Sequence, residues 1–285
     1  MSEAPSGRRT PRWLRALRRN PAALIGAAAV GAVVCVALAA PVLAPHDPVA
    51  QIATPLRPPG HPHLGGTDEL GRDELSRLIF GARVSLYVGV LAVAIALGVG
   101  GTSGIAAGFY GGWVDNIAMR VMDVLFSLPA LVLAIAITSI LGPSLTNVMI
   151  AIGIVYAPTF ARIARGPTLA VVGLPYIEAA RALGASNRII VLRHVLPNVS
   201  APLLVQTTVS LSTAILTEAA LSFLGLGTQP PTASWGLMLS AARQYMLIDP
   251  WIAVLPGCAI AVTVLGFNLL GDGLRDLLDP RIRTL

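Results

Sequence analysis

Apolar residues fall in six long blocks, at 22–44, 84–108, 124–141, 145–161, 201–224 and 251–270, and most charged residues lie between them. A helix needs about 20 apolar residues to cross a hydrocarbon core, so the pattern predicts an all-α chain with about six membrane-spanning helices. The arginine-rich approach to the first block and its Ala37-Leu38-Ala39 triplet imitate a secretory signal. The block exceeds the roughly 7–15 residues of a signal core, which predicts an uncleaved anchor. Pro129, Pro158 and Pro256 lie inside blocks; membrane helices tolerate proline where neighbours, hydroxyls or water satisfy the freed carbonyl, and kinks are expected there. Gly100, Gly104 and Gly108 recur every four residues. That spacing lines one helix face with small residues and predicts a close packing seam, within the chain or against a partner subunit.

Charge sets the direction. With the N-terminus in the cytoplasm, 15 arginines fall in inner segments, and only Arg57, Arg72, Arg77, Arg83 and Arg243 lie in outer ones. This matches the bias of cytoplasmic loops toward positive charge. The expected organisation is a cytoplasmic Arg-rich segment 1–21, a first span 22–44 and an external loop 45–83. A five-helix core 84–271 then carries a cytoplasmic loop 162–200, and a cytoplasmic tail 272–285 follows.

Composition agrees: 55% of residues are hydrophobic, 12% are charged, and mean hydropathy is +0.74. A soluble domain carries roughly 25% charge. All 20 basic residues are arginine, for a net charge of +6; they cluster at block ends rather than on one soluble face, which argues against nucleic acid as a partner. Cys35 and Cys258 sit in apolar blocks without metal or redox spacing, and are expected to pack as small hydrophobes.

About forty residues separate the fourth and fifth blocks. From Pro175 to Ala182 they are good helix formers, followed by Gly184, which suits a left-handed cap. Ser186 suits the N-cap of a second helix, Asn187 to Leu196, which Pro197 is expected to end. Ile189, Leu192 and Leu196 share one face, and Glu178 precedes Arg181 by three residues, the favourable order for an ion pair. The segment predicts a helix, tight turn, helix unit at the inner membrane surface.

Here the chain resembles a known family. Glu178-Ala179-Ala180, Gly184, Ile189 and Leu196-Pro197 are similar to the EAA loop in permease subunits of bacterial binding-protein-dependent ABC importers. The segments Leu64 to Arg77, Tyr110 to Asp115 and Leu216 to Gly227 resemble the C-type permease of the dipeptide, oligopeptide and nickel group, with Gly65-Gly66 standing where one glycine is expected. The resemblance implies a type I ABC importer permease fold with both termini cytoplasmic, and a coupling loop formed by Glu178, Ala179, Ala180, Gly184, Ile189, Leu196 and Pro197. It implies a B-type permease, two ATPase subunits or a fused ATPase, an extracytoplasmic binding protein and membrane lipid as partners. It implies a peptide as cargo, with nickel and glutathione left open. The chain itself is expected to be non-catalytic and to bind no cofactor, with ATP and Mg belonging to the ATPases.

Several weaker features compete with this reading. No His-Glu-x-x-His, Gly-x-Ser-x-Gly or phosphate-binding loop is present to suggest an enzyme. A secondary transporter driven by an ion gradient usually carries several ionisable mid-membrane groups, and this chain offers Glu218. That residue is a candidate for substrate or partner-permease contact; an interfacial or helix-paired carboxylate fits it equally. Asp123 is expected to answer a cytoplasmic arginine. His46, His61 and His63 lack regularly spaced carboxylates or cysteines, so no metal site is expected and they read as solvated loop residues. Trp113, Trp235 and Trp251 are expected to be interfacial anchors.

Overall fold

A computed structural model describes residues 21–278. The segment 1–20, with its arginines, and the end of the tail, 279–285, lie outside the described residues. Helix α1 is Pro21–Leu38 and α2 is Ala40–Leu43. The second crossing is α3, Glu74–Ala96, a widened π-type turn Leu97–Gly101, and α4, Thr102–Tyr110. There follow α5, Gly112–Phe126; α6, Ala130–Leu141; α7, Leu145–Val172; and α8, Pro175–Ala182. The fifth crossing begins with α9, Asn187–Ile190, passes a second π-type turn Val191–Val195, and becomes α10, Leu196–Phe223. Helices α11, Trp235–Ala242, and α12, Trp251–Leu278, complete the chain. Among the described residues there is no β-strand, only two isolated bridges, Gln51 with Arg72 and Thr67 with Asp73.

Five helical stretches are long and apolar enough to span a membrane, and a sixth span results if α5 and α6, bent by 91°, count as one. The expected third block is therefore a break. Ser127-Leu128-Pro129 separates the two helices, and Pro129, extended at φ −55° and ψ 129°, starts α6. The helix stops there because proline disfavours the helical conformation of the residue before it and Pro129 is itself extended. Pro158 and Pro256, by contrast, lie inside continuous helices.

Glycine approaches reveal the direction of each crossing. A Cβ on Gly100 would strike the Ala157 carbonyl, one on Gly104 the Ala161 carbonyl, and one on Gly108 would lie 2.9 Å from the Arg165 carbonyl. On the opposing helix, Gly153 meets Ile95. Positions on both helices rise together, so α3–α4 and α7 run parallel along the glycine seam. The expected seam is thus internal to the chain; backbones touch where only hydrogen fits. Gly271 meets Thr208 and Val209, and Gly273, Gly266 and Gly26 map α12 onto α1 in reverse order. Gly89 meets Ile215, and Ser85 donates to Glu218. Hence α12 is antiparallel to α1 and α10, and α10 is antiparallel to α3. The start of α1, the ends of α4, α7 and α12, and the start of α9 all lie on one face of the bundle.

The opposite face is organised by the loop 44–73. Asp73 caps α3, its Oδ2 accepting from the Ser76 amide at 2.9 Å and the Ser76 hydroxyl at 2.6 Å. Burial pushes its carboxyl up, but hydrogen bonds from Ser76 and His63 and the nearby His46 outweigh this and hold it below the usual carboxylate range. Buried Asp68 accepts from the Arg72 amide and Leu70 amide at 2.9 Å, from Arg72 Nε at 2.6 Å, and pairs with Arg77 Nε at 3.2 Å. A buried charge is tolerated only when so satisfied. Both glycines of the doubled pair are required: Gly66 has φ +79°, and a Cβ on Gly65 would sit 2.8 Å from the Leu75 amide. The loop is a folded plug rather than the extended segment that its prolines suggest.

Three expectations need correction. Trp235 is no interfacial anchor. It is 2% exposed, packs on Gly81 and donates its indole N–H to the Leu78 carbonyl at 3.0 Å. Trp113 and Trp251 are exposed. Cys35 and Cys258 are exposed as well, on outward faces of their helices rather than in the core. His63 is buried rather than solvated, because the folded loop closes over it.

Candidate coupling surface and membrane groove

The short helix α8 is fixed at both ends. Pro175 occupies its first turn, where a missing amide costs nothing. At its end, Gly184 donates to the Arg181 carbonyl at 2.9 Å and Ala185 to the Ala180 carbonyl at 3.0 Å. This paired Schellman pattern turns the chain through a left-handed residue, and Gly184 supplies it at φ +84°. Ser186 then caps α9, accepting from the Ile189 amide at 3.4 Å. The unit is rooted by Ile177, Ile190, Val195 and Val199, all fully buried in the main core. Burying each isoleucine is worth about 1.5–3 kcal/mol, enough to hold two short helices in place.

Its other side is bare. Leu183 is 89% exposed, and Tyr176, Ile189, Leu192 and Leu196 are exposed beside it. Glu178, Ala179, Gly184 and Pro197 are exposed too, and Ala180 is half-buried. The residues singled out from the sequence therefore gather on one accessible, largely apolar surface, on the face that also holds the ends of α1 and α12. Glu178 and Arg181 do not pair. Arg181 instead lies over the Phe109 ring, 5.6 Å from its centroid.

Pro197 does not end the second helix, as its lack of an amide proton had suggested. The turn Val191–Val195 is widened to the π type, and Leu196 donates to Val191, five residues back. This shift in register opens the ladder where a proline would otherwise clash with the carbonyl four residues earlier. Pro197 lies in the first turn of α10, and the helix continues from Asn187 to Phe223. Likewise α7 extends to Val172, past the expected end at 161. The expected loop 162–200 is mostly helix.

Helix α5 is bound to α7 on this same side. Arg165 Nε and Nη2 grip Asp115 Oδ1 and Oδ2 at 2.5 and 2.6 Å, and Arg162 meets Asp123 at 2.8 Å. The expected arginine partner of Asp123 is therefore present. Beyond α5, the break at Ser127-Leu128-Pro129 borders a cleft of about 310 Å³ against Val155, Tyr156 and Thr159 of α7. The hydroxyl of Tyr156, on its wall, lies 2.9 Å from that of buried Thr217. The kink expected at Pro129 is thus a full break of 91°, whereas its cleft was not legible in the sequence, where no polar period marked a wet face.

Glu218 is fully buried within its own chain. Its Oε1 accepts from Ser222 at 2.7 Å and its Oε2 from Ser85 at 3.2 Å. The carboxylate bridges α3 and α10 and does not lie on an exposed surface where a substrate or second permease would meet it.

A bundle of apolar crossings with an exposed, rigidly rooted hairpin is a multi-pass membrane permease subunit. The chain belongs to the family described as binding-protein-dependent transport system inner membrane component, which matches residues 100–284, and residues 11–59 match the N-terminal transmembrane domain of oligopeptide transport permease C. It is 44% identical to the dipeptide transport system permease protein DppC of Alkalihalophilus pseudofirmus, over 94% of this chain and 88% of that protein. It is 46% identical to the glutathione transport system permease protein GsiD of Escherichia coli O1:K1 / APEC, over 98% and 93%. Among solved structures, inward-facing MetNI methionine ABC transporter superposes with a TM-score of 0.56 at 18% identity, covering 72% of this chain and 97% of that one. An amino acid ABC transporter solved with histidines gives 0.53 at 19%, covering 74% and 95%. The fold is the type I ABC importer permease fold.

Proposed function

We propose that the chain is one of two permease subunits of an importer that carries short peptides into the cell, with a B-type permease as its partner in the membrane. The dipeptide and glutathione relatives support a short peptide as cargo, since glutathione is itself a small peptide. Two ATPase subunits, or one fused ATPase, hydrolyse ATP with Mg, and an extracytoplasmic protein delivers the substrate. The permease chain contributes no catalysis and holds no cofactor.

The observation that carries this reading is the contrast across the hairpin: Ile177 and Ile190 are fully buried beneath it while Leu183, Ile189 and Leu192 are exposed on top. Water-facing leucines on a firmly rooted unit suit a docking surface better than a solvated loop. In this reading Glu178, Ala179, Ala180, Gly184, Ile189, Leu196 and Pro197 form the surface gripped by the ATPase, and the face that carries them is cytoplasmic. Closure of the ATPases moves the hairpin as a body, and the bundle changes between inward-facing and outward-facing states. The cleft at the break of α5 and α6 lies beside the path, with Tyr156 and Thr159 on its wall.

The test is transport by the assembled complex in proteoliposomes. Glu178→Lys reverses a charge on the docking surface without touching the core, so ATP hydrolysis persists while peptide uptake falls. Undiminished ATP-dependent uptake by this variant would refute the assignment.

A further inference from the structure

On the face opposite the hairpin, three side chains distant in sequence converge. His46 follows α2, His63 lies in the plug loop, and Asp73 caps α3. His63 Nδ1 lies 2.9 Å from Asp73 Oδ1, and His46 Nδ1 lies 3.6 Å from the same oxygen. All three ligand atoms lie within 4.8 Å of one another. Asp73 is 1% exposed and His63 is 5% exposed. The carboxylate cannot turn away, because its other oxygen is held by Ser76, and the His46 amide donates to that same hydroxyl at 3.0 Å.

The cluster is one bond short. One proton serves His63 and Asp73, and His46 Nδ1 is left sealed from solvent with no hydrogen-bond partner. A buried polar atom without a partner costs about 1–3 kcal/mol, and such atoms are uncommon enough to call for a cause. A cation in place of the shared proton would satisfy all three atoms together. Tetrahedral zinc binds imidazole nitrogen and carboxylate oxygen at about 2.0–2.2 Å, which places neighbouring ligand atoms roughly 3.3 Å apart. The two observed separations from Asp73 Oδ1 fall on either side of that value. Two imidazoles with one carboxylate suit zinc and its neighbours, whereas calcium and magnesium need a shell of oxygens.

We propose that His46, His63 and Asp73 bind one divalent transition-metal cation of the zinc type. The ion would take both Nδ1 atoms and Asp73 Oδ1, release the proton shared by His63 and Asp73, and leave a fourth position to water. It would clasp together the end of the first crossing, the plug loop and the start of α3.

The test uses the full-length chain in its membrane complex, purified without a polyhistidine tag, stripped with chelator and titrated with Zn²⁺. The metal content of wild-type, His46→Ala, His46→Gln and His61→Ala complexes is compared by mass spectrometry, and Co²⁺ is substituted to read tetrahedral geometry from its visible absorption. Wild type and His61→Ala should bind one more ion per chain than either His46 variant, whose affinity falls roughly tenfold or more. Zn²⁺ should raise the melting temperature of wild type and leave that of His46→Gln unchanged. His46→Gln keeps a polar group of similar size, so a metal-free melting temperature equal to wild type shows that its fold is intact. Equal zinc content in wild type and both His46 variants, or no saturable binding by wild type, would overturn the site.

Discussion

Replacing Gly104 with alanine should split the bundle along its tightest seam. The added Cβ would overlap the Ala161 carbonyl oxygen and lie 2.8 Å from both the carbonyl carbon and the Cα of that residue, where ordinary contact begins near 3.4 Å. The obstacle is backbone, so no rotamer relieves it, and α4 must move away from α7 by roughly 1 Å. A gap of that size forfeits about a quarter to a half of the dispersion well for each contact it opens, and Gly100 and Gly108 lie on the same face and would be lifted with it. Overpacking of this kind costs about 1–3 kcal/mol, with backbone obstruction favouring the upper part. Gly31→Ala supplies the internal comparison: a Cβ there meets nothing within 4 Å, and alanine in a helix gains about 0.5–1 kcal/mol over glycine. Because both alanines share that gain, the two variants should differ by the overpacking cost alone, about 1–3 kcal/mol, although each adds one methyl group to an apolar helix. Unfolding in mixed detergent micelles by titrated SDS, followed by tryptophan fluorescence, measures both. A Gly104→Ala chain as stable as Gly31→Ala would refute the close approach of α4 and α7.

Two further outcomes follow from local geometry. Gly184→Ala meets open space but must hold φ +84°, a strain of about 1–2 kcal/mol for a residue with a Cβ; peptide uptake should fall while the melting temperature of the complex changes little, because the turn lies at the periphery. Trp235→Phe keeps most of the apolar volume and removes the indole donor from the Leu78 carbonyl, so the unfolding free energy should drop by about 0.5–1.5 kcal/mol, and a loss below the detection limit of the same SDS titration would count against that bond.

Much of this architecture could be read from residues alone because its determinants are local. Apolar blocks marked the long helices, the four-residue glycine interval marked the seam, and Gly184 followed by Ser186 marked a turn between two caps. What escaped depends on partners far away in the chain. Helix α5 is amphipathic and begins at Gly112, before the third apolar block, so hydropathy placed the crossing too late, and Pro129 announced a kink but not a bend of 91°. Helix α11 is eight residues long and lies between two apolar blocks, too short for hydropathy to mark; its Trp235 has the composition of an anchor, and only the fold brings Gly81 against its ring. The widened turn before Pro197 rests on a shift in hydrogen-bond register, which no residue type announces. The histidines of the plug loop looked isolated because their carboxylate, Asp73, comes ten residues after His63 and belongs to the next helix.

The helical run from Asn187 to Phe223, carried through the widened turn Val191–Val195, joins the second helix of the hairpin and the fifth crossing into one rod of 37 residues. At 1.5 Å per residue it is about 55 Å long, so a tilt of about 5° about one tip corresponds to a movement of about 5 Å at the other. The far tip carries Glu218 and Ser222, through which it is pinned to α3 by way of Ser85. The rod thus pivots near its far tip, with about 46 Å of helix on the rim side of Glu218 and about 8 Å beyond it, so a broad movement at the rim reaches the opposite membrane surface as a small rotation held in place by hydroxyl groups deep in the bundle.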